Sequence, residues 1–164
     1  MPQNKPHIFN DFIDGQRNES LERRVQAYST RLSSLVRAGK RGVKEVDGVY
    51  ALVKVIVSRE DMACLDVLEK NVHDPEVRRA IWLEVGRSKS SEAQKLLARW
   101  AKDHPDVPEL MRYHSKGAEL LIKGAEDKGS DVSRRVKCIR ILADMRATNM
   151  LSRIELLAKE KTPV

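Results

Sequence analysis

Aromatic side chains are scarce in this chain. Two Trp, three Tyr and two Phe make up 4 % of its 164 residues. That argues against the base-stacking surfaces by which RRM and OB folds hold single-stranded nucleic acid. Cysteine is nearly absent. Cys64 and Cys138 lie far apart, and neither has a partner at metal-ligand spacing. Each sits among apolar residues in a helical pattern, so both read as small buried hydrophobes in a reducing compartment. Long apolar runs are missing as well. The longest, residues 49–57, is broken by Lys54 and is about half of what a membrane helix needs. Residues 1–15 hold no apolar signal-peptide core. A cytoplasmic protein is expected.

Catalytic signatures are also lacking. The four histidines, His7, His73, His104 and His114, form no HExxH pair, and none has a Cys or carboxylate at a metal-ligand offset on the same helical face. No glycine pattern cradles a phosphate; the eight glycines punctuate helices. Carboxylate neighbours occur at Glu60/Asp61 and Glu126/Asp127. Adjacent residues on a helix point apart, which suits them poorly to acid–base work. Asp103 and Asp106 read as a helix end and a helix cap. We therefore expect no enzyme, no metal and no cofactor.

Positive charge is what the chain does carry. Lys and Arg total 31 against 24 Asp and Glu, a formal +7. The excess is uneven: residues 1–60 carry +4, residues 61–110 carry −2, and residues 111–164 carry +5. Two clusters account for much of it. One is Arg31, Arg37, Lys40, Arg41 and Lys44, with no acid among them. The other is Lys128, Arg134, Arg135, Lys137 and Arg140, against Asp131 alone. Such clusters attract phosphates, anionic headgroups or acidic protein surfaces, and they also serve simply as solubilising faces.

Apolar residues recur at helical spacing nearly everywhere. Residues 1–17, with Pro2, Pro6 and Gly15, read as an irregular arm whose Ile8, Phe9, Phe12 and Ile13 dock on the domain or on a partner. A single helical domain is expected over 18–164. Its first helix, about 20–38, carries a stripe of Leu21, Val25, Tyr28, Leu32 and Leu35. A second, about 43–57, is apolar on most faces and should be central. Its β-branched residues leave a strand open over 49–57, but helical neighbours favour a helix. Ser58 with Asp61 resembles a capping box for a third helix over 59–71. Asp74, Pro75 and Glu76 are the cleanest start signal in the chain. Further helices are expected from 74 to 85, from 90 to 103, from 108 to 127 with bends at Gly117 and Gly124, from 131 to 145, and from 149 to 159. The fold class is all-α, with about eight helices. Trp82 and Trp100 read as core packing.

The helices carry a faint repeat. Asp74, Pro75, Glu76 and Val77 coincide with His104, Pro105, Asp106 and Val107 thirty positions on. Leu96, Leu97 and Ala98 coincide with Leu156, Leu157 and Ala158 sixty positions on. Regular spacing of this kind is what stacked helix pairs produce. The stretch 74–86 has a capping Asp74, then Val77 and Arg78, then small or aliphatic residues to Gly86. It resembles the HEAT-repeat family, with 91–103 as its partner helix and 131–144 as a second copy carrying Arg134, Arg135 and Val136. The resemblance covers roughly 60–160 and departs at 108–130. It implies a helix-hairpin stack, an α-α superhelix whose concave face binds protein or, occasionally, nucleic acid; an irregular helical bundle is the alternative architecture. The expected function is a non-catalytic protein–protein interaction module, an adaptor or regulatory binding protein whose basic clusters steer an acidic partner. The alternative is a nucleic-acid-binding protein contacting phosphates through residues 31–44 and 128–140.

Overall fold

The computed structural model describes residues 6–40 and 46–160. Among them every regular element is helical. The chain divides into two compact units, Met1–Leu96 and Leu97–Val164.

The first unit is built on five helices: α1 (Pro6–Gly15), α2 (Leu21–Lys40), α3 (Val46–Ser58), α4 (Met62–Asn71) and α5 (Pro75–Arg87). α6 (Ser91–Asp103) spans the division between the units. The irregular arm read from the sequence is corrected here: residues 6–15 are helix, and Phe9 and Ile13 are buried. Pro6 takes the first helical position, where its missing N–H costs nothing. Phe9, Phe12 and Ile13 fall on one face at helical spacing. α3 is the central helix, as its composition requires. Val49, Leu52, Val53, Val55 and Ile56 are all buried in it. It packs on α1, α2, α4 and α5, while α2 also packs on α4. Alternate helices thus lie against each other, α1 with α3, α2 with α4, and α3 with α5, which gives two layers of helices. Burial overrides the β-branched character of α3, since side-chain preference is worth only tenths of a kcal/mol per residue.

Helix ends follow the sequence in one case and depart from it in another. Asp74 caps α5 as expected, its carboxylate accepting from the Glu76 and Val77 amides at 2.9 and 3.2 Å. The capping box at Ser58 does not form. The Ser58 hydroxyl donates to the Val55 carbonyl at 2.7 Å. Glu60 takes a positive φ of 57° between α3 and α4. Asp61 stands at the α4 N-cap without capping it, because its carboxylate is engaged by Arg24.

The second unit holds a 3-10 turn (Pro108–Tyr113), α7 (Gly117–Glu126), α8 (Val132–Asp144), a short 3-10 turn (Thr148–Met150) and α9 (Leu151–Lys159). The single bent helix expected over 108–127 is therefore two elements. Gly117 does not bend a helix; it opens one. A Cβ at this position would lie 1.7 Å from the Met111 carbonyl oxygen. The close approach of two backbones, invisible in a sequence, ends the 3-10 turn there. Leu110, Met111, Leu121, Ile122, Cys138 and Leu142 fill the unit's core. Arg146, at φ 53°, terminates α8.

Candidate functional site

The two basic clusters lie on α2 and the residues after it, and on and just before α8. Each is described within its own unit. In the first, the Arg31 guanidinium lies over the rings of Phe9 and Phe12, 5.9 and 5.7 Å from their centroids. It fastens α1 to α2 by a cation–π contact. Arg37 donates from Nε to the Ser33 carbonyl at 3.3 Å. It lines a groove of about 360 Å³ with Ser29, Ser33, His73 and Asp74. The Lys40 side chain, Arg41 and Lys44 lie outside the described residues.

In the second cluster most of the cations are engaged within the unit. Arg134 donates to the Asp106 carbonyl at 2.8 Å. Arg135 donates to the Ala125 carbonyl at 2.8 Å and to Glu160 at 3.4 Å. Lys137 pairs with Glu109 at 2.9 Å, and Lys128 with Glu160 at 3.8 Å. Arg140 is exposed and makes no ion pair among the described residues. These pairs tie α8 to the 3-10 turn at 108–113 and to the ends of α7 and α9.

One polar feature was not legible as a site in the sequence. It is a cleft of about 700 Å³ in the first unit, lined by Ile13, Asp14, Arg17, Arg24, Tyr28, Arg59, Glu60 and Asp61. α1 and the turn after it supply one wall, α2 a second, and the α3–α4 turn the third. Two bidentate pairs frame it. Arg24 donates from Nε and Nη2 to the two Asp61 oxygens at 2.8 and 3.1 Å, and from Nη1 to the Glu19 carbonyl at 2.8 Å. Arg59 donates likewise to Asp14 at 2.8 and 3.1 Å, and to the Asn10 side chain at 3.3 Å. The Arg59 hydrogen bond holds the Asp14 carboxyl below the usual carboxylate range.

Tyr28 forms part of the cleft wall although the residue is only 1 % exposed. Its ring meets Phe12 edge to face at 6.0 Å, while its hydroxyl has no hydrogen-bond partner among the described residues. Burial, reinforced by the Asp61 charge, pushes its phenol up to about 12. The same two causes raise the Cys64 thiol to about 12. Both groups are neutral at physiological pH, so Tyr28 is a proton donor there. The guanidinium of Arg17 and the carboxylate of Glu60 are exposed and have no ion-pair partner among the described residues. Glu60 and Asp61 stand out in the sequence as neighbouring carboxylates; their separate roles depend on Arg24, 37 positions from Asp61.

Trp100 is fully buried. Trp82 is half-buried, and its indole N–H donates to Glu69 Oε1 at 3.3 Å. A second surface of interest lies in the second unit. Val132 and Val136 of α8 and Leu151 and Leu156 of α9 are exposed. No residue of α9 is fully buried. No helix among the described residues is long and apolar enough to cross a membrane. No family model, no curated protein and no solved structure matches this chain.

Proposed function

We propose that the protein is a non-catalytic helical module that binds another protein, in the manner of a HEAT-like stack. One observation carries this reading: α9 is amphipathic and packs on α7, yet among the described residues it keeps large apolar side chains uncovered. It presents Leu156 at 65 % exposure and Leu151 at 53 %, and Val132 of α8 is 61 % exposed. Single exposed apolar residues are ordinary, but a helix with four Leu or Ile and no buried position is an element whose partner surface is missing. The layered packing of α1 to α5 supports a stack, because each helix there lies against its second neighbour. The excess positive charge would steer an acidic partner and raise its association rate.

The phosphate-binding alternative has less support. Arg134, Arg135 and Lys137 are held by carbonyl and carboxylate oxygens of their own unit. A nucleic acid would have to displace these partners.

The test compares immobilised full-length protein with the double variant Leu151→Glu, Leu156→Glu in extract from the source cells. Both side chains are exposed, so the variant should melt with the native protein. A protein retained by the native chain and lost from the variant is the expected result. Identical retention by both, or no retention at low salt, overturns the proposal.

A further inference from the structure

In the second unit, α8 is apolar on two opposite faces. It turns Cys138, Ile141 and Leu142 into the core, where it packs on α7 and on the 3-10 turn at 108–113. On the other side Val132, Val136, Ile139 and Ala143 follow one another at spacings of 4, 3 and 4, which places them on a single stripe. Val132 is 61 % and Val136 38 % exposed; Ile139 is half-buried and Ala143 is exposed. The stripe is therefore open to solvent among the described residues. Val132, Val136 and Ile139 are all β-branched. Such side chains are poor choices for the outer face of an isolated helix. They are stiff, however, so they lose little rotamer freedom on binding, and they suit the seam between two paired helices.

Charge decides what can lie along this stripe. α8 carries Arg134, Arg135, Lys137 and Arg140. Arg135 and Lys137 are balanced by Glu160 and Glu109. Arg134 is bonded to a carbonyl, which leaves its charge uncancelled. Arg140, one turn beyond Val136 on the flank of the stripe, is exposed and has neither an ion pair nor a side-chain hydrogen bond among the described residues. The acids at the two ends of the helix are engaged: Asp131 caps it, accepting from the Arg134 amide at 2.8 Å, and Asp144 faces Arg112 at 3.9 Å. A second copy of this chain would lay one positive helix against another, with no free acid on the flank to offset the repulsion. We infer that the stripe seats an acidic amphipathic helix of another protein. The apolar side chains of that helix pack between Val132, Val136 and Ile139, and a Glu or Asp on its flank meets Arg140. The stripe is about three turns long, and the partner needs an amphipathic stretch of about that length. The inference rests on the protein-binding reading and gives that partner its form.

The experiment is a display selection on the immobilised full chain. The library holds peptides of about 20 residues, long enough to form a helix, with leucine fixed at 4-3-4 spacing and Glu, Lys or Gln drawn equally at the flanking positions. Glu should be enriched over Lys by about threefold or more at the flank that meets Arg140. Arg140→Glu, at an exposed and unpaired position, should melt with the native chain and reverse that preference. Val136→Glu replaces an exposed side chain with a good helix former, so it too should melt with the native chain, and it should lose the selected peptides. A selected peptide should shift the native amides of Val132, Val136 and Arg140 in an NMR titration. The inference is overturned by no enrichment, by flanks without preference or rich in Lys, by peptides that Val136→Glu retains, or by Arg140→Glu still preferring Glu. Sedimentation of the native chain as a dimer that Val136→Glu dissociates assigns the stripe to a second copy and overturns it equally. Retention from extract that depends on Leu151 and Leu156, alongside any of these results, removes the acidic helix and keeps the protein-binding reading; failure of that retention as well removes both.

Discussion

Tyr28 and Cys64 show how one cause, burial beside a carboxylate, sets the chemistry of two residues in the first unit. Both are almost completely shielded from solvent, and both have their ionised forms disfavoured by burial first and by the Asp61 charge second. The thiol is raised from near 9 to about 12 and the phenol from near 10 to about 12. The sign of the pH effect follows. In the unfolded chain each group gives up its proton at its ordinary value; in the folded chain it holds the proton longer. The unfolded state therefore gains ionisation free energy first as pH rises. The contribution of both groups is fully present below pH 9 and is lost as pH climbs from about 9 toward about 12. We expect the urea midpoint to fall between about pH 8 and about pH 10.5. In Cys64→Ala the fall should be smaller, because the variant loses the Cys64 contribution while keeping those of Tyr28 and of Cys138, whose thiol burial also raises. Parallel curves for the two proteins would show that Cys64 ionises alike in both states. Burial of Cys64 was readable from its apolar helical setting. Its neighbour Asp61 was not, because the pairing of Arg24 with Asp61 joins two helices through a tertiary contact that no local pattern encodes.

Elements with strong local signals were legible, and elements fixed by distant packing were not. α5 begins at Pro75 under an Asp74 cap, because Asp, Pro and Glu each favour that position for an independent reason. α1 had the same kind of signal, Pro6 at one end and Gly15 at the other with apolar residues at helical spacing between them. Reading the proline and glycine as punctuation of a loop obscured it. The break at 114–116 had no local signal strong enough. Gly117 looks like any helical glycine until the Met111 carbonyl is brought against it. This makes a contrast with Gly124 testable. A Cβ at Gly117 would meet rigid backbone at 1.7 Å, whereas one at Gly124 would meet the Cys138 sulfur at 3.0 Å. Gly117→Ala must separate α7 from the 3-10 turn and should cost about 3 kcal/mol or more. Gly124→Ala gains up to about 1 kcal/mol of helix propensity against a mild clash and should be near neutral. Chemical denaturation of both variants reads the difference. Equal stabilities would mean that the turn at 108–113 moves freely relative to α7.

At the scale of the whole molecule, the question is what a net charge of +7 does. Ion pairing within a unit leaves the net charge and its long-range field unchanged, so association with any acidic surface is still accelerated. Close contact with phosphates is a different matter, because it needs guanidinium and ammonium groups that can turn outward. Arg135 is three-quarters buried and bonded to the Ala125 carbonyl; Lys137 and Lys128 hold Glu109 and Glu160; Arg31 lies over two Phe rings. Exposed pairs are worth little and can open, but a site built from them is not preorganised, and each opening subtracts from the gain. Among the residues of the second cluster, Arg140 alone makes neither an ion pair nor a side-chain hydrogen bond with a described residue. The protein should therefore bind random duplex DNA weakly, neutralising about two or three phosphates rather than the six to ten of a dedicated DNA-binding surface. Fluorescence anisotropy from about 50 to 200 mM salt measures this directly, since the slope of log affinity against log salt is about −0.9 per phosphate. A slope no steeper than about −3, reduced by one unit in Arg140→Ala, fits a chain whose basic residues are largely committed to holding it together. A slope of about −5 or steeper would mean that these pairs give way to phosphate, and the two basic clusters would then be a nucleic-acid surface after all.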